Sequence, residues 1–483
     1  MKIISLFNGI YFSRMNKIFM CLIIFQLATQ IYYYNQTIEK IGVNEHGLLG
    51  YTTEAYYHNC AKNMALYGIH SDGEYPEIKP TNYRPPLFSF LISIIYKIFS
   101  VNEVHGLIFN NILLLLTTII IFKIGNLFNP QIGLLSAILF VAEPYLLERA
   151  NSIQSEIPHI FFFSFALYFS IKIFYLNKDS NKNIILFSLL FFLSTFVRTV
   201  TLYYPIIFLM FLIMIYRMQT YFIKDHQLNF KKIGLIFILI NLFGTMAWST
   251  RNYIHTDNFD YTGMKGIHLG LFVAPGVYAA ENNIDYAAAR KIIRNKYFND
   301  EKFYSLDIGD QQKYLASVGK KIIIENPIGF LKHYFGRSFR LLFFGYPTSA
   351  MLPFYSKEKM IYAENIMKKL SSSFSAKLSI LGDLFSNGFK FYTLHIVFFK
   401  IFYVLFLLSS LAGSLLMVFQ KTSTNDRLIG LFIGSIFYYL IAIYLFNAGP
   451  RLRIGLLPIM VIFSSQYLIY LKSYFIQKTI RVD

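Results

Sequence analysis

Long apolar runs dominate the chain, and they constrain its fold more than any other feature. The convincing runs lie near residues 17–34, 105–122, 131–147, 157–175, 184–197, 200–216, 233–249, 393–419, 428–446 and 455–472. A helix that crosses the hydrocarbon core of a bilayer needs roughly 17–25 predominantly apolar residues. Inside a bilayer, only helices and closed barrels satisfy every backbone polar group. The runs therefore predict an all-α polytopic membrane protein with about 10 to 13 transmembrane helices.

The composition agrees with a membrane protein. Hydrophobic residues make up 55% of the 483 residues and charged residues only 15%, whereas soluble domains contain about 25% charged residues. Much of the net charge of +19 lies in short basic clusters beside apolar runs, where it orients the chain and meets anionic lipid or phosphate rather than nucleic acid. The two cysteines, Cys21 and Cys60, give neither a disulfide framework nor a metal-binding set.

Short basic interruptions predict which helix ends face the cytoplasm. Residues 217–232, residues 421–427 and the tail from Lys472 carry Lys and Arg, and such short loops are typically cytoplasmic. The basic N-terminus leads into the first apolar run without a small-residue cleavage site, which predicts a retained first span. These assignments agree only if the apolar run 85–99 does not cross the membrane. We therefore predict that this run is an interfacial helix at the outer face.

This topology makes residues 1–483 a single membrane domain with two large outer loops. The first loop, residues 35–104, is expected to hold two amphipathic helices. One is the stretch 52–68, which follows a Thr cap and ends at a glycine. The other follows Pro85–Pro86, where missing backbone N–H groups cost little at a helix start. The second loop, residues 250–392, contains polar helical stretches and is expected to cover the site and recognise the acceptor.

Charged residues collect at the predicted outer ends of the helices. Charges at that depth are costly unless they face a cavity or a partner. One arginine in such a place is more often an interfacial anchor, but several on one side predict a pocket for a phosphate, because the planar guanidinium matches phosphate oxygens. The arginines of this group are Arg84, Arg149, Arg198, Arg251, Arg451 and Arg453, with the carboxylates of Glu54 and Glu156 on the same side.

A metal site is not defined by the sequence. Glu54 and His58 are one helical turn apart in the first loop, but two ligands without a third rarely form a metal site. No cofactor is predicted, and dependence on a divalent metal stays open.

Several motifs, taken in order, resemble the GT-C membrane glycosyltransferases. An acidic residue precedes "YxxxAxxM", then come "RPPL" and "SEIP" before an apolar run, followed by "VRT…YYP", "W…RNY" and "PRLRIGLLP". The resemblance is greatest to the protein O-mannosyltransferases and the lipid A aminoarabinose transferase. It implies a GT-C fold in the bacterial inner membrane, with the active site facing the periplasm or exterior. It also implies a polyprenyl-phosphate sugar as donor and a lipid, surface glycan or protein as acceptor.

The same resemblance implies roles for individual residues. A first-loop carboxylate would activate the acceptor, and the basic residue before the paired prolines would contact the lipid phosphate. These roles fall on Glu54 and Arg84, with Glu156 as a second acidic residue. Alignment on the first-loop motif places Thr53 where the family usually has Asp, so Glu45 and Glu156 stay open as alternatives to Glu54. Further donor phosphate-binding candidates are Arg198, Arg251 and Arg451. Candidate substrate-binding residues are Tyr57, His58 and Tyr83.

Two other classes of membrane protein use similar parts. A flippase for lipid-linked sugars would carry charges along a central path midway through its helices, whereas the charges here lie at one end of mostly clean apolar runs. An O-antigen ligase or polymerase shares the lipid-phosphate chemistry, the outer arginines and a large outer loop. It stays open as an alternative, although the order of the first-loop motifs fits it less well.

Overall fold

The computed structural model describes residues 2–41, 52–222, 228–299, 301–306, 308–344, 390–419, 424–446 and 450–480. Within these ranges every regular element is a helix and there is no β-strand. The predicted all-α class is therefore confirmed.

The described helices are numbered in chain order. They are α1 (Lys2–Ile41), α2 (Thr52–Tyr67), α3 (Leu87–Phe99), α4 (Glu103–Phe128), α5 (Pro130–Val141), α6 (Pro144–Ala150), α7 (Glu156–Phe174), α8 (Asn181–Val197), α9 (Tyr204–Phe222), α10 (Phe230–Thr256), α11 (Met264–Ile267), α12 (Ala274–Asn282), α13 (Tyr286–Tyr297), α14 (Glu301–Tyr304), α15 (Ile308–Glu325), α16 (Pro327–Leu331), α17 (Phe339–Phe344), α18 (Lys390–Phe419), α19 (Thr424–Phe446) and α20 (Leu457–Ile480). Four short turns also occur: the 3-10 turns Thr199–Thr201 and Pro450–Leu456 and the π turns His268–Val273 and Lys332–Ser338.

Eight of the described helical segments are long and apolar enough to cross a membrane. The number is nine if α5 and α6, which meet at a bend of 64°, form one broken span. These nine correspond to nine of the predicted apolar runs. The remaining run, 184–197, lies in α8, a shorter apolar helix of 17 residues. The chain is a multi-pass membrane protein.

Aromatic side chains hold neighbouring membrane helices together. Phe187 of α8, Phe208 of α9 and Phe237 of α10 are fully buried, and their ring centroids are 4.4 to 5.9 Å apart. In a bilayer the lipid tails are as apolar as these side chains, so close packing rather than removal from water drives helix association. Each favourable ring pair adds about 0.5–1.5 kcal/mol. The resulting core fixes the helix ends that carry the charged residues.

The first loop forms the two predicted helices, α2 and α3, which pack on each other. Helix α2 ends before Gly68, whose φ of +72° suits a residue without a Cβ atom. Helix α3 begins directly after Pro86 and has 13 residues, which is about 20 Å and too short to cross a bilayer. One face packs on α2, while Phe90, Ile94 and Ile98 are exposed on the other. This amphipathic shape is consistent with the predicted interfacial position.

The second loop has a small apolar core of its own. Val273, Val277, Leu315 and Ile322 are among the residues that bury it. Helix α11 and the turn after it pack directly on α15, and a Cβ atom on Gly266 would clash with the backbone oxygen of Gln312. This close contact, which only glycine allows, fixes the position of residues 264–273. Residues 345–389 of the predicted loop lie outside the described part of the chain.

Candidate active site

A pocket of about 390 Å³ lies where the first loop, the end of α8 and residues 264–273 meet. Its polar wall residues include Tyr57, Arg84, Ser155, Arg198, Lys265 and His268. Apolar residues of the segment before α9, of α19 and of the turn before α20 also line the wall, among them Leu202, Ile443 and Leu452. The pocket therefore joins a cationic polar side to an apolar side, as a lipid phosphate would require.

Arg84 is held at the pocket by the tyrosines of α2. Its backbone N–H donates to the Tyr56 hydroxyl at 3.2 Å, and its Nη1 donates to the Tyr57 hydroxyl at 3.2 Å. The guanidinium lies 5.2 to 5.8 Å from the ring centroids of Tyr56, Tyr57 and Tyr83. Burial opposes its charge, yet Tyr57 and Tyr83 keep the pKa of Arg84 above its ordinary value. Its buried Nε has no hydrogen-bond partner within the described residues, so this cation keeps a donor for a ligand.

Arg198 is paired with the carboxylate of Glu156. Helix α8 ends at Val197 and α7 begins at Glu156, and the two side chains meet with Arg198 Nη1 2.7 Å from Glu156 Oε1. Arg451 Nε lies 4.0 Å from the same oxygen. The Glu156 side chain is 5% exposed and that of Arg198 19% exposed. Burial opposes the charge of Arg198, but Glu156 raises its pKa above the ordinary value.

Hydroxyl groups connect the two arginines. The Tyr57 hydroxyl donates to Ser155 Oγ at 2.9 Å, and Arg198 Nη1 donates to the same oxygen at 3.4 Å. Because Arg84 donates to Tyr57, a continuous series of contacts runs from Arg84 to Glu156. It brings the first-loop motif and the "SEIP" motif to one wall. Two guanidinium groups held in this way are preorganised for the oxygens of a phosphate.

The second loop supplies two pocket residues that sequence reasoning missed, Lys265 and His268. Lys265 is exposed, and His268 is partly buried. Burial, followed by the charges of Arg84, Arg198 and Arg451, lowers the pKa of His268 to about 4. The imidazole is therefore neutral near pH 7. The only sequence signal is the repeated glycine in "GMKGIHLG", which permits close packing but does not indicate chemistry.

Arg251 lines a different pocket, of about 670 Å³, together with His70, Trp248 and His255. Its Nη1 donates to the Thr81 carbonyl at 2.9 Å, and its guanidinium lies 4.8 Å from the Trp248 ring centroid. The structure therefore places Arg251 near the chain segment that carries Arg84, but does not place it in the Arg84 pocket.

His58 and Tyr83 do not line the pocket with Tyr57. His58 Nδ1 lies 2.9 Å from the Tyr96 hydroxyl and 3.7 Å from Glu103 Oε1. Neighbouring residues on an α-helix point about 100° apart, so a helix that turns Tyr57 to the pocket turns His58 toward α3. Tyr83 packs on Tyr56 with ring centroids 5.2 Å apart. It supports Arg84 from the side.

Glu54 lies in the first turn of α2, but its side chain, like that of Thr53, is outside the part that the structure describes. Glu45 lies outside the described residues altogether. Across the ranges that the structure covers, no three His, Cys, Asp or Glu side chains come together in a group that could hold a metal ion.

Residues 83–248 match the family model described as dolichyl-phosphate-mannose-protein mannosyltransferase. The matched stretch contains Arg84 and Arg198 of the pocket wall and Glu156, the ion-pair partner of Arg198. The match confirms the resemblance to the GT-C membrane glycosyltransferases that the motifs carry. No match was found among curated protein sequences.

Several solved membrane proteins are similar in fold. The apo oligosaccharyltransferase of Archaeoglobus fulgidus has 12% identity and a TM-score of 0.48, over 94% of this chain and 52% of that chain. AglB of A. fulgidus, solved with an inhibitory peptide and a dolichol-phosphate, has 12% identity and a TM-score of 0.43, over 95% and 52%. ArnT from Cupriavidus metallidurans, solved with undecaprenyl phosphate, has 12% identity and a TM-score of 0.36, over 88% and 77%. The chain thus spans about half the length of the A. fulgidus proteins. These similarities are low, so the family resemblance rests on residues 83–248.

Proposed function

We propose that this protein transfers a sugar from a polyprenyl-phosphate donor to a lipid, surface glycan or protein acceptor. The reaction takes place at the periplasmic or exterior face of the bacterial inner membrane. The observation that carries this proposal is the pair of guanidinium groups, Arg84 and Arg198, joined through Tyr57 and Ser155 on one pocket wall. The family whose model matches residues 83–248 is named for a sugar carried on dolichyl phosphate, which is donor chemistry of this class.

The donor phosphate lies between Arg84 and Arg198. Negative charge develops on this phosphate as the C1–oxygen bond of the sugar breaks, in an oxocarbenium-like transition state. Both guanidinium groups are fixed by neighbours before the donor arrives, so they stabilise that charge without reorganising. One preorganised donor of this kind contributes about 3 kcal/mol to transition-state stabilisation.

Glu156 positions the arginines and is a poor candidate for the base. One of its oxygens contacts Arg198 at 2.7 Å and Arg451 at 4.0 Å. A carboxylate stabilised by two cations has little tendency to take a proton. Its contribution is to hold Arg198 against the pocket, since the buried guanidinium would otherwise lack a counter-charge.

Glu54 is the general base in this proposal. It lies in the first turn of α2, three residues before Tyr57 in the chain, and the resemblance to the GT-C membrane glycosyltransferases gives this role to a first-loop carboxylate. The Glu54 carboxylate takes the proton of the acceptor hydroxyl or amine while the acceptor attacks C1. A single displacement of this kind inverts the configuration at C1.

The apolar side of the pocket accommodates the polyprenyl chain. Leu202, Ile443 and Leu452 line it. Tyr203, just before α9, and Ile206, in the first turn of α9, follow Leu202 in the chain and are exposed. Each CH₂ group of the donor that they bury contributes roughly 0.8 kcal/mol. Binding energy from this non-reacting chain places the sugar phosphate at the arginines.

The test is a transfer assay with the purified full chain, a panel of polyprenyl-phosphate sugars and candidate acceptors. Wild type is compared with Glu54→Gln and Arg84→Ala. Matched controls are Glu77→Gln, on an exposed first-loop carboxylate, and Arg217→Ala, on an exposed arginine late in α9. We expect both site variants to lose transfer while both controls keep it. Site variants that transfer sugar at the wild-type rate would refute the assigned roles, and a wild type that consumes no donor would refute the function.

A further inference from the structure

We propose that His268, which lines the same pocket as Arg84 and Arg198, binds the phosphate together with them and takes up a proton as it does so. The inference rests on the proposed function, because it takes the phosphate to be that of a polyprenyl phosphate. It adds a switchable cation to a site whose arginines are permanently charged.

The position of His268 is fixed by the second loop. It begins the turn that follows α11 and lines the same pocket as Arg84 and Arg198. Its ring centroid lies 5.8 Å from that of Phe272 one turn later. On the opposite side of the loop, a Cβ atom on Gly270 would lie 2.7 Å from the Leu315 backbone oxygen. The turn is therefore packed against α15 and cannot move away from the pocket without losing this contact.

Cations from several elements act on the charge of His268. Arg84 comes from the first loop, Arg198 from the end of α8, and Arg451 from the turn before α20. The other titratable groups of the pocket and its rim are Lys265, Glu156, Tyr57, Tyr203 and Tyr444. From α13, Arg290 lies 5.7 Å from the Phe272 ring centroid. On α15, Asp310 and Lys313 pair with each other at 2.9 Å. The charges that act on His268 are thus mostly positive.

These charges, together with burial, favour the neutral imidazole of His268 in the free protein. Burial and then the three arginines lower the pKa of His268 to about 4. A phosphate bound among the arginines brings one or two negative charges to the same place and cancels much of this effect. An opposite charge close to a histidine favours its protonated form. The bound state of His268 therefore has a higher pKa than the free state, and binding takes up a proton.

The sign of the pH dependence follows from linkage. Because phosphate raises the pKa of His268, the protonated protein binds phosphate more tightly than the neutral protein. Affinity rises as the pH falls through the bound-state pKa, and the gain stops near the free-state value of about 4. Within that window the dissociation constant changes by up to about tenfold per pH unit for one proton.

The protonated imidazole favours the later stages of the reaction over the first. The donor phosphodiester carries one negative charge, while the released monoester carries up to two, since its second pKa is about 6. A cation that forms in response to that charge interacts more strongly with the departing phosphate than with the donor. Interactions that strengthen along the reaction are those that raise the rate.

The experiment measures proton uptake when polyprenyl phosphate binds to the purified full chain in detergent. Calorimetric titrations in two buffers of different ionisation enthalpy give the number of protons bound. Wild type is compared with His268→Gln and His268→Asn, which each keep one hydrogen-bonding position of the ring but cannot be protonated. His105→Gln is the matched control, because His105 contacts the Ser100 carbonyl away from the pocket. A polyprenyl phosphodiester, which does not titrate near pH 7, serves as a second ligand that reports only the protons of the protein.

We expect wild type and His105→Gln to take up several tenths of a proton more than either His268 variant at about pH 6. We also expect the His268 variants to bind more weakly at this pH and to lose the pH dependence of the dissociation constant. Equal proton uptake by wild type and a folded His268 variant would overturn the inference and leave the proposed function intact. Absence of uptake by wild type with the phosphodiester would overturn it even if both variants fail to fold. A wild type that binds no polyprenyl phosphate would overturn the proposed function as well.

Discussion

Two buried ion pairs in this protein use the same residue types for different purposes. Arg198 and Glu156 meet at the pocket wall, where the arginine side chain remains 19% exposed. Arg453 and Glu143 meet in the interior, where their side chains are 2% and 1% exposed. The first pair leaves its guanidinium next to a cavity that can take a ligand, whereas the second leaves no room for one.

The contacts of the interior pair show what it does. Arg453 Nη1 donates to the Leu342 and Phe343 carbonyls at 3.1 and 3.3 Å, and its guanidinium lies 3.5 Å from the Tyr403 ring centroid. The Tyr403 hydroxyl donates to Glu143 Oε1 at 2.8 Å. Glu143 stands at the bend between α5 and α6. This pair therefore joins α17, α18 and the turn before α20 to that bend.

The interior pair also explains how Arg451 reaches the Arg198–Glu156 pair. Arg451 and Arg453 lie on the same 3-10 turn, Pro450–Leu456, and Arg453 anchors that turn in the core. Arg451 is then carried to within 4.0 Å of Glu156. Charge in this protein thus acts in two ways, as an anchor in the core and as a ligand site at the pocket. Substitutions in the two pairs and their neighbours separate these roles.

Arg453→Met should cause the largest loss of stability. It leaves the Glu143 carboxylate buried without its counter-charge, which typically costs about 3–5 kcal/mol. Thermal unfolding in detergent measures the effect. The double variant Glu143→Leu/Arg453→Met should recover part of the loss, because no unpaired charge is left behind. If the double variant loses as much stability as Glu143→Leu and Arg453→Met lose in sum, the two residues do not act as a unit.

Arg198→Ala should give a large loss of activity in a folded protein. We expect sugar transfer to fall by about 10²–10³, the usual cost of removing one preorganised electrostatic donor, with a smaller change in stability than for Arg453→Met. The checks are steady-state transfer rates and unfolding temperature on the same preparation. Normal transfer by the folded fraction of Arg198→Ala would contradict the assignment of this pair to the site.

Tyr57→Phe should have an intermediate effect. The change removes the hydroxyl that receives Arg84 Nη1 and donates to Ser155, while the ring still fills its place. One hydrogen bond contributes about 1 kcal/mol, so the transfer rate at low donor concentration should fall about fivefold. The transfer kinetics of Tyr57→Phe are compared with those of wild type and Tyr56→Phe. A loss that is specific to Tyr57→Phe shows that the hydroxyl link between Arg84 and Arg198 is responsible.

His58→Gln should have the smallest effect on transfer. The side chain contacts Tyr96 and Glu103 rather than the pocket, so kinetic constants should stay within about twofold of wild type, with at most about 1 kcal/mol lost in stability. A large rise in the donor or acceptor KM would support the sequence-based prediction that His58 binds substrate.

Sequence reasoning identified the parts that depend on local patterns. The paired prolines and the short apolar run predicted α3, and Gly68 predicted the end of α2. Arg84, Glu156 and Arg198 were found because charge at the end of an apolar helix is costly and so marks a function. Each of these signals is carried by neighbouring residues along the chain.

The missed features depend on tertiary packing. His268 and Lys265 reach the pocket because glycines let residues 264–273 pack on α15, and no periodic pattern announces that contact. Arg453 could not be distinguished from Arg451 by sequence, since the two stand two residues apart beside the same apolar run. The direction of His58 depends on the rotation of α2 about its axis, which its partly polar sequence does not determine.

The most direct test of the account is the release of polyprenyl phosphate from a polyprenyl-phosphate sugar by the purified protein with an acceptor present. Wild type, Arg84→Ala, Arg198→Ala and the control Arg217→Ala are compared at equal amounts of folded protein. The account predicts release by wild type and the control, with each pocket variant slower by at least about a hundredfold. Equal release by all four proteins, or release by none, would contradict it.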